Sequence, residues 1–502
     1  MPTTSMTLTA LHPPRSARAV RLAAAALLAV ATLAGCSPER LAGNDALPPD
    51  VPDPATTHTP AGALAMYRGA IVQLRSAFGG RPESFVPITG LLTDEVRSND
   101  VNQSSTVTDP MLIDSRFLPE DPGIGGDSTT PEPIRQLYGY LQKTRGQARE
   151  ARGALRAYAP DSSSALTGHL DAVEGYADVF LADLFCSGVP LSTLDFDGDF
   201  TYAAGSSTEE VYERAIALFD SALALSSDSM RIMNLARVGK GRALLALGRY
   251  GDAAQAVADV PDDFQYALRY DNSTPSGTVD VTGNRTFAYQ DFGSGVFGVN
   301  LTMTDAEGGN GLPFISSRDP RSAWVNDGVN HNGVTRIAPA KYSLDGSGSI
   351  VLADGIEARL IEAEAQLNGA AAGDWLATLN ALRTDGTFDT QRDPVDTTKT
   401  DTLWHAGKGG VAGLAPLTDP GTPEGRVDIL FQERGYWLFL TGHRQGDLRR
   451  LIRQYGRQAE RVYPTGAYPG AFNAYGSDVT APIPGAERVN NPLFTGCRSR
   501  GA

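Results

Sequence analysis

The sequence predicts a mostly α-helical protein, a helical-repeat scaffold interrupted by long loop-rich insertions. Three observations carry that reading. Apolar residues recur at helical spacing in several segments, as at Val211, Ala215, Ile216, Phe219 and Leu223. Glycine-bearing turns separate consecutive helical stretches, as at Gly248-Arg249-Tyr250. Two stretches, about 262–350 and 384–424, are dense in polar turn residues and break the periodicity.

Before the scaffold comes a leader. Arg15, Arg18 and Arg21 precede an apolar run over 22–33, and no acidic residue stands before Cys36. The run is too short to span a bilayer as a helix. A basic region, a short apolar region and small residues at the cleavage site mark residues 1–35 as a secretory signal peptide. Leu33-Ala34-Gly35-Cys36 resembles the lipobox of bacterial lipoproteins. That resemblance implies cleavage before Cys36 and acylation of its sulfur and new α-amine. Residues 36–60 hold Pro38, Pro48, Pro49, Pro52, Pro54 and Pro60, and read as an extended tether.

From residue 61 to 502 the helices follow in order. Leu64, Tyr67, Ile71, Leu74 and Phe78 set a first stripe, ended by Gly79-Gly80. Residues 88–133 read as a long loop, and helices are expected over 134–158 and 166–185. Ser207 and Glu210 have capping-box spacing ahead of the next stripe. Helices over 229–247 and 252–260 flank the glycine turn. There Gly241, Gly248, Tyr250 and Ala253 sit at spacings that resemble one tetratricopeptide repeat. A further pair is expected over 356–367 and 375–382, and the last helices over 424–440 and 443–456. The tail from 457 reads as irregular.

Charge bounds the partners. The chain has 58 acidic and 43 basic residues. Without the three leader arginines the balance is 58 against 40, a formal charge of −18. Such a surface repels phosphate backbones, so nucleic acid is not expected as a partner. Cys186 and Cys497 are the cysteines left after Cys36. In an exported protein they are expected to form a disulfide.

Catalytic motifs are weak. No Gly-x-Ser-x-Gly elbow occurs, and the histidines form no metal-binding pair. Gly293-Ser294-Gly295-Val296-Phe297-Gly298 matches a dinucleotide fingerprint, but a strand-like run follows where a helix is required. Asp195, Asp197 and Asp199 alternate as calcium ligands can. Phe200 and Ser206 stand where an EF-hand needs Gly and Glu, so a solvated loop is expected. No cofactor or metal is predicted.

One family resemblance runs through most of the chain. Ile429-Leu430-Phe431-Gln432-Glu433-Arg434-Gly435-Tyr436-Trp437-Leu438, then Gly442-His443-Arg444-Gln445-Gly446-Asp447-Leu448-Arg449-Arg450, resembles the Glu-Arg … Arg, Asp-Leu, Arg pattern of the SusD/RagB family. Pro482-Ile483-Pro484, Glu487 and Asn491-Pro492 resemble its closing motif, and Ala358–Ala365 a helix before its C-terminal half. Trp437 departs from the acidic residue of many relatives. The resemblance implies a tetratricopeptide-like (SusD-like) fold and an outer-membrane lipoprotein displayed at the cell surface. It implies capture of a nutrient, an oligosaccharide or a peptide, for a SusC-like TonB-dependent transporter, with no reaction. A lipid-anchored glycan hydrolase and a protein-binding scaffold are the alternatives. Glu433, Arg434, Arg444, Asp447 and Arg450 read as an ion-pair network joining the last two helices. Sugar rings stack on aromatic faces beside polar side chains. On that ground Trp324 with Asn326 and Asp327, Tyr342, and Trp404 are the expected ligand contacts.

Overall fold

Helices dominate because the apolar stripes find their partners largely in chain order. The computed structural model describes residues 58–98, 109–120, 130–194, 199–270, 301–329, 335–342, 348–384, 414–469 and 472–502. Cys36, the leader, the tether to residue 57, Asp195, Asp197, residues 293–298 and Trp404 lie outside them. Residues 60–502 form one compact unit.

The first helix, α1 (Pro60–Phe78), buries Ala63, Ala70, Leu74, Ala77 and Phe78. After it come α2 (Phe85–Leu92), strand β1 (Val96–Ser98), α3 (Asp109–Asp114), α4 (Glu132–Tyr158) and α5 (Ser164–Leu184). α4 packs on both α1 and α5. The stack continues through α6 (Thr208–Leu225), α7 (Met230–Ala246), α8 (Tyr250–Val257), α9 (Gly355–Leu367) and α10 (Trp375–Thr384), each on its predecessor. Neighbour-on-neighbour packing of this kind is the geometry of a helical-repeat protein. α11 (Pro423–Trp437) rests on α9, and α12 (Arg444–Arg453) on α5 and α2.

Local chemistry explains the turns. The Ser207 side chain accepts from Glu210 N at 3.2 Å, and Glu210 Oε2 accepts from Ser207 N at 2.7 Å. Two N–H groups that α6 cannot satisfy internally are thereby capped. In α7, a Cβ on Gly241 would lie 2.7 Å from Val257 Cγ1 and 3.1 Å from Ile361 Cδ1. Only glycine lets α8 and α9 approach α7 that closely.

The expected loop over 88–133 is only partly one, since α2, β1 and α3 fall in or across its bounds. All eight residues of α2 are buried. A short helix that is apolar on every side shows no amphipathic period. Its Phe85 ring stacks on Phe180 at 4.3 Å, and Phe78 stacks on Phe180 at 5.2 Å.

Strands are short. β2 (Val189–Pro190) pairs with β5 (Gly205–Ser206), and β3 (Thr193–Leu194) with β4 (Phe200–Thr201). The 262–350 insertion is rooted by β6 (Gln265–Tyr270) against β10 (Gly348–Asp354), antiparallel, with a bulge between Val351 and Ala353. Within it, β7 (Leu301–Met303) pairs with β1, and β8 (Trp324–Val329) with β9 (Thr335–Pro339).

The tail is irregular apart from the short helices α13 (Ala459–Val462) and α14 (Gly485–Asn490). Cys186 and Cys497 are joined by a disulfide, their Cα atoms 5.8 Å apart. Backbone bonds surround it: Cys186 N to Ala481 O, Ser187 N to Ser499 O and Arg498 N to Ser187 O. The tail is thus fastened to the end of α5.

Candidate functional site

Buried charge fills the centre of the stack. Arg434 donates two 2.8 Å bonds to Asp447, and Arg450 one of 2.8 Å. Arg450 also pairs with Glu364 of α9. These pairs join α11 and α12, as the motif predicts. Glu433 and Arg444 reach further than the motif shows. Glu433 takes Arg321 and Arg383, and Arg444 takes Asp94 at 2.6 and 2.8 Å. Arg321 lies 4.9 Å above Trp437 and 5.1 Å above Tyr436, so Trp437 faces a cation with its ring. Burial disfavours the Asp447 carboxylate, yet Arg434 and Arg450 hold its pKa well below the ordinary range. Burial likewise works against Glu357, but Arg242, then His443, pull its pKa down to about 2.

Between these pairs lies a cavity of about 20 Å³, lined by Arg242, Glu357, Arg434, His443, Asp447 and Arg450 among others. It has room for about one water and none for a sugar ring. This polar interior is therefore structural.

Of the predicted ligand contacts among the described residues, Trp324, Asn326 and Asp327 share one strand and Tyr342 lies beyond the next. Trp324 opens β8, half-buried against the core, and its indole N–H donates to Ile315 O at 3.2 Å. Asn326 is exposed on the same strand, opposite Ile337, and Asp327 follows it. Tyr342 is a correction. It is buried, and its hydroxyl donates to Leu440 O at 2.5 Å, so it holds the turn between α11 and α12 instead of offering a ring face.

A different aromatic group stands out, formed by Phe117 with Tyr468, Phe472 and Tyr475. Phe117 is 52% exposed and its ring lies 6.0 Å from Phe472. Tyr468 touches both Phe472, at 6.0 Å, and Tyr475, at 5.1 Å. Beneath the rings are two carboxyl groups. Tyr468 OH donates to Asp114 Oδ2 and Tyr475 OH to Glu307 Oε1, each at 2.7 Å. Burial pushes the Asp114 pKa up to about 7. Burial, then the nearby Asp114 charge, raises Glu307 well above its ordinary value.

The backbone that presents Phe117 is held in an unusual shape. Arg116 has φ +57°, sparsely populated for a non-glycine residue. Its guanidinium sits 4.9 Å above Tyr463 and donates to Pro464 O and Asp478 O. A Cβ on Gly476 would lie 2.2 Å from Arg116 O, so glycine is required there. The result is an exposed ring backed by hydroxyls and acids, an arrangement suited to a polyhydroxylated ring. Sequence reading missed it because 88–133 and the tail carry no long helical stripe. One signal was available: Tyr463, Tyr468, Phe472 and Tyr475 recur every three to five residues among Gly and Pro, which cannot be a helix face.

No protein-family profile matches the chain, and no curated protein matches it in sequence. Solved structures do match. A SusD superfamily protein from Bacteroides vulgatus ATCC 8482 is 16% identical at a TM-score of 0.56, covering 88% of this chain and 99% of its own. A SusD homolog from Bacteroides thetaiotaomicron VPI-5482 is 14% identical at 0.60, covering 89% and 99%. Surface glycan-binding protein A from Bacteroides thetaiotaomicron, solved in complex with laminarihexaose, is 12% identical at 0.57, covering 86% and 99%. At such identities the likeness is one of architecture, and it extends over nearly the whole length of each relative: this chain has the SusD-like fold.

Proposed function

We propose that the protein binds a nutrient oligosaccharide without cleaving it and passes it to a TonB-dependent outer-membrane transporter. The observation that carries this is the ring group of exposed Phe117 and half-buried Phe472, set over Tyr468 and Tyr475, on a fold shared with a protein solved with laminarihexaose. The acidic surface suits a neutral ligand. Attachment by lipid at Cys36 and display at the cell surface are part of the proposal. They rest on the leader and lipobox residues. A Cys36→Ser protein that still fractionates with the outer membrane would contradict the anchor.

Among the described residues no helix is long and apolar enough to cross a membrane. One observation favours the hydrolase alternative, namely that Asp114 and Glu307 are two carboxyl groups lying under a pair of touching tyrosines. Their placement argues against it, since both are buried, each under a tyrosine. Calorimetry with laminari-oligosaccharides and with short peptides, followed by chromatography of the recovered ligand, tests the reading. We expect binding of an oligosaccharide in the micromolar to millimolar range, with the ligand recovered intact. Steady release of shortened products would overturn it.

A further inference from the structure

Asp114 and Glu307 have a feature that ligand stacking leaves unused. Asp114 is 1% exposed and Glu307 7% exposed. Asp114 Oδ1 and Glu307 Oε2 are buried with no hydrogen-bond partner. Two ionised carboxylates in such a place would repel each other with little water to screen them, and the ordinary solution is to keep one proton between them. Among the described residues neither has an ion-pair partner within 4.0 Å that could replace that proton.

The two acids sit on different elements. Asp114 ends α3, and Glu307 opens a one-turn 3-10 helix over Glu307–Gly309. Two C-terminal tyrosines bridge them. Tyr468 bonds Asp114, Tyr475 bonds Glu307, and the two tyrosine rings are in edge contact. Phe472 rides on that bridge and touches Phe117. The bridge is closed by Tyr475 N to Gly466 O at 3.0 Å and by Gly476 N to Ser115 O at 2.7 Å.

We propose that one of Asp114 and Glu307, each buried under a tyrosine and without a cationic partner, stays protonated and so latches Tyr468 and Tyr475 under the ring group, which makes the binding face proton-linked. This deepens the functional reading above and rests on it only for the meaning of the face. The surrounding groups are few. Arg97 of β1 acts on both acids, Asp94 acts on Glu307 but is itself tied to Arg444, and Ser98 N donates to Asp114 at 2.9 Å. The hydroxyls of Tyr468 and Tyr475 complete the set. When that proton leaves to solvent, two buried charges repel each other. The bridge then loses its fit against Ser115 and Gly466. The sign follows: carboxyl groups held above their unfolded pKa stabilise the closed form below about pH 4, and that contribution is lost as pH rises through about 7.

Amide hydrogen exchange on the full ligand-free protein tests the latch. After correction for the intrinsic rate, protection of the Tyr475 and Gly476 amides should fall roughly tenfold or more between pH 5.5 and 8.5. Asp114→Asn keeps an acceptor for Tyr468 and removes the charge of one of the two acids, so the fall should be several-fold smaller in it. A wild-type protein with no fall, or a variant that retains it in full, would overturn the proposal. Should the variant fail to fold, carbon-13 NMR titration of the wild-type carboxyl groups decides. One of the pair still protonated at pH 6 supports the latch, and both titrating near about 4 contradicts it. Because no ligand is present, failure here leaves glycan binding standing, and absent glycan binding leaves the latch intact.

Discussion

Asp447 shows how much of this protein rests on paired charge. Its two oxygens are taken by Arg434 and Arg450, all three residues buried. Asp447→Ala would leave Arg434 without its acid inside the stack and Arg450 with Glu364 alone. We expect a loss of about 3–5 kcal/mol, read from urea unfolding. The pH dependence has a defined sign. Asp447 and Glu357 are held below their unfolded pKa, so their stabilisation is present above about pH 4 and is lost as pH falls towards about 2. An Asp447→Asn protein should show a shallower loss over that interval. At this scale the motif was legible as structural ionic pairing, because charges on a helix-rich core need partners. The identities of the partners were not, since Asp94 and Arg321 lie 350 and 112 residues from Arg444 and Glu433. Tyr342 misled for a related reason: a tyrosine in a Gly- and Ser-rich stretch looks displayed until its hydroxyl is seen closing a distant turn.

Elements with a clear period were legible and elements without one were not. α6 was readable to its first residue because Ser207 and Glu210 announce the cap chemically. Ser207→Ala should cost about 1 kcal/mol in thermal or urea unfolding, since it removes the hydroxyl that accepts from Glu210 N and leaves only the bond from the Ser207 backbone N–H. A change below a few tenths would show that the cap contributes little. α7 and α8 were readable from Gly241, where packing demands glycine, and from the turn at Gly248, whose φ of +71° favours it. α2 was not, because its sequence Phe85-Val86-Pro87-Ile88-Thr89-Gly90-Leu91-Leu92 is buried all round and offers no polar face to mark its phase. The aromatic turn at 463–475 was hidden in the same way. Its rings are brought against Phe117 by the Arg116 and Gly476 backbone, a pairing across some 360 residues that no local pattern encodes.

At the scale of the molecule, the fold is a helix stack whose loose ends are fastened together. The Cys186–Cys497 bridge closes a separation of 311 residues. Chain entropy alone then predicts about 5–6 kcal/mol of stabilisation, an upper bound because the unfolded chain keeps some structure. Replacing both cysteines by serine should lower the melting temperature and release the amides of Ser187 and Arg498 to exchange, while α6–α8 stay protected. Exchange unchanged at Ser187 and Arg498 would show the tail held by hydrogen bonds alone. In the function proposed above, this stack displays the Phe117–Phe472 ring group as its sugar-binding face. Calorimetric titration of one laminari-oligosaccharide into wild-type, Phe117→Ala and Trp324→Ala proteins tests it most directly. We expect a loss of about 1–3 kcal/mol for Phe117→Ala, by analogy with base stacking on aromatic side chains, and a smaller change for Trp324→Ala. Undiminished affinity in Phe117→Ala, with binding lost in Trp324→Ala, would place the sugar on β8 and contradict it.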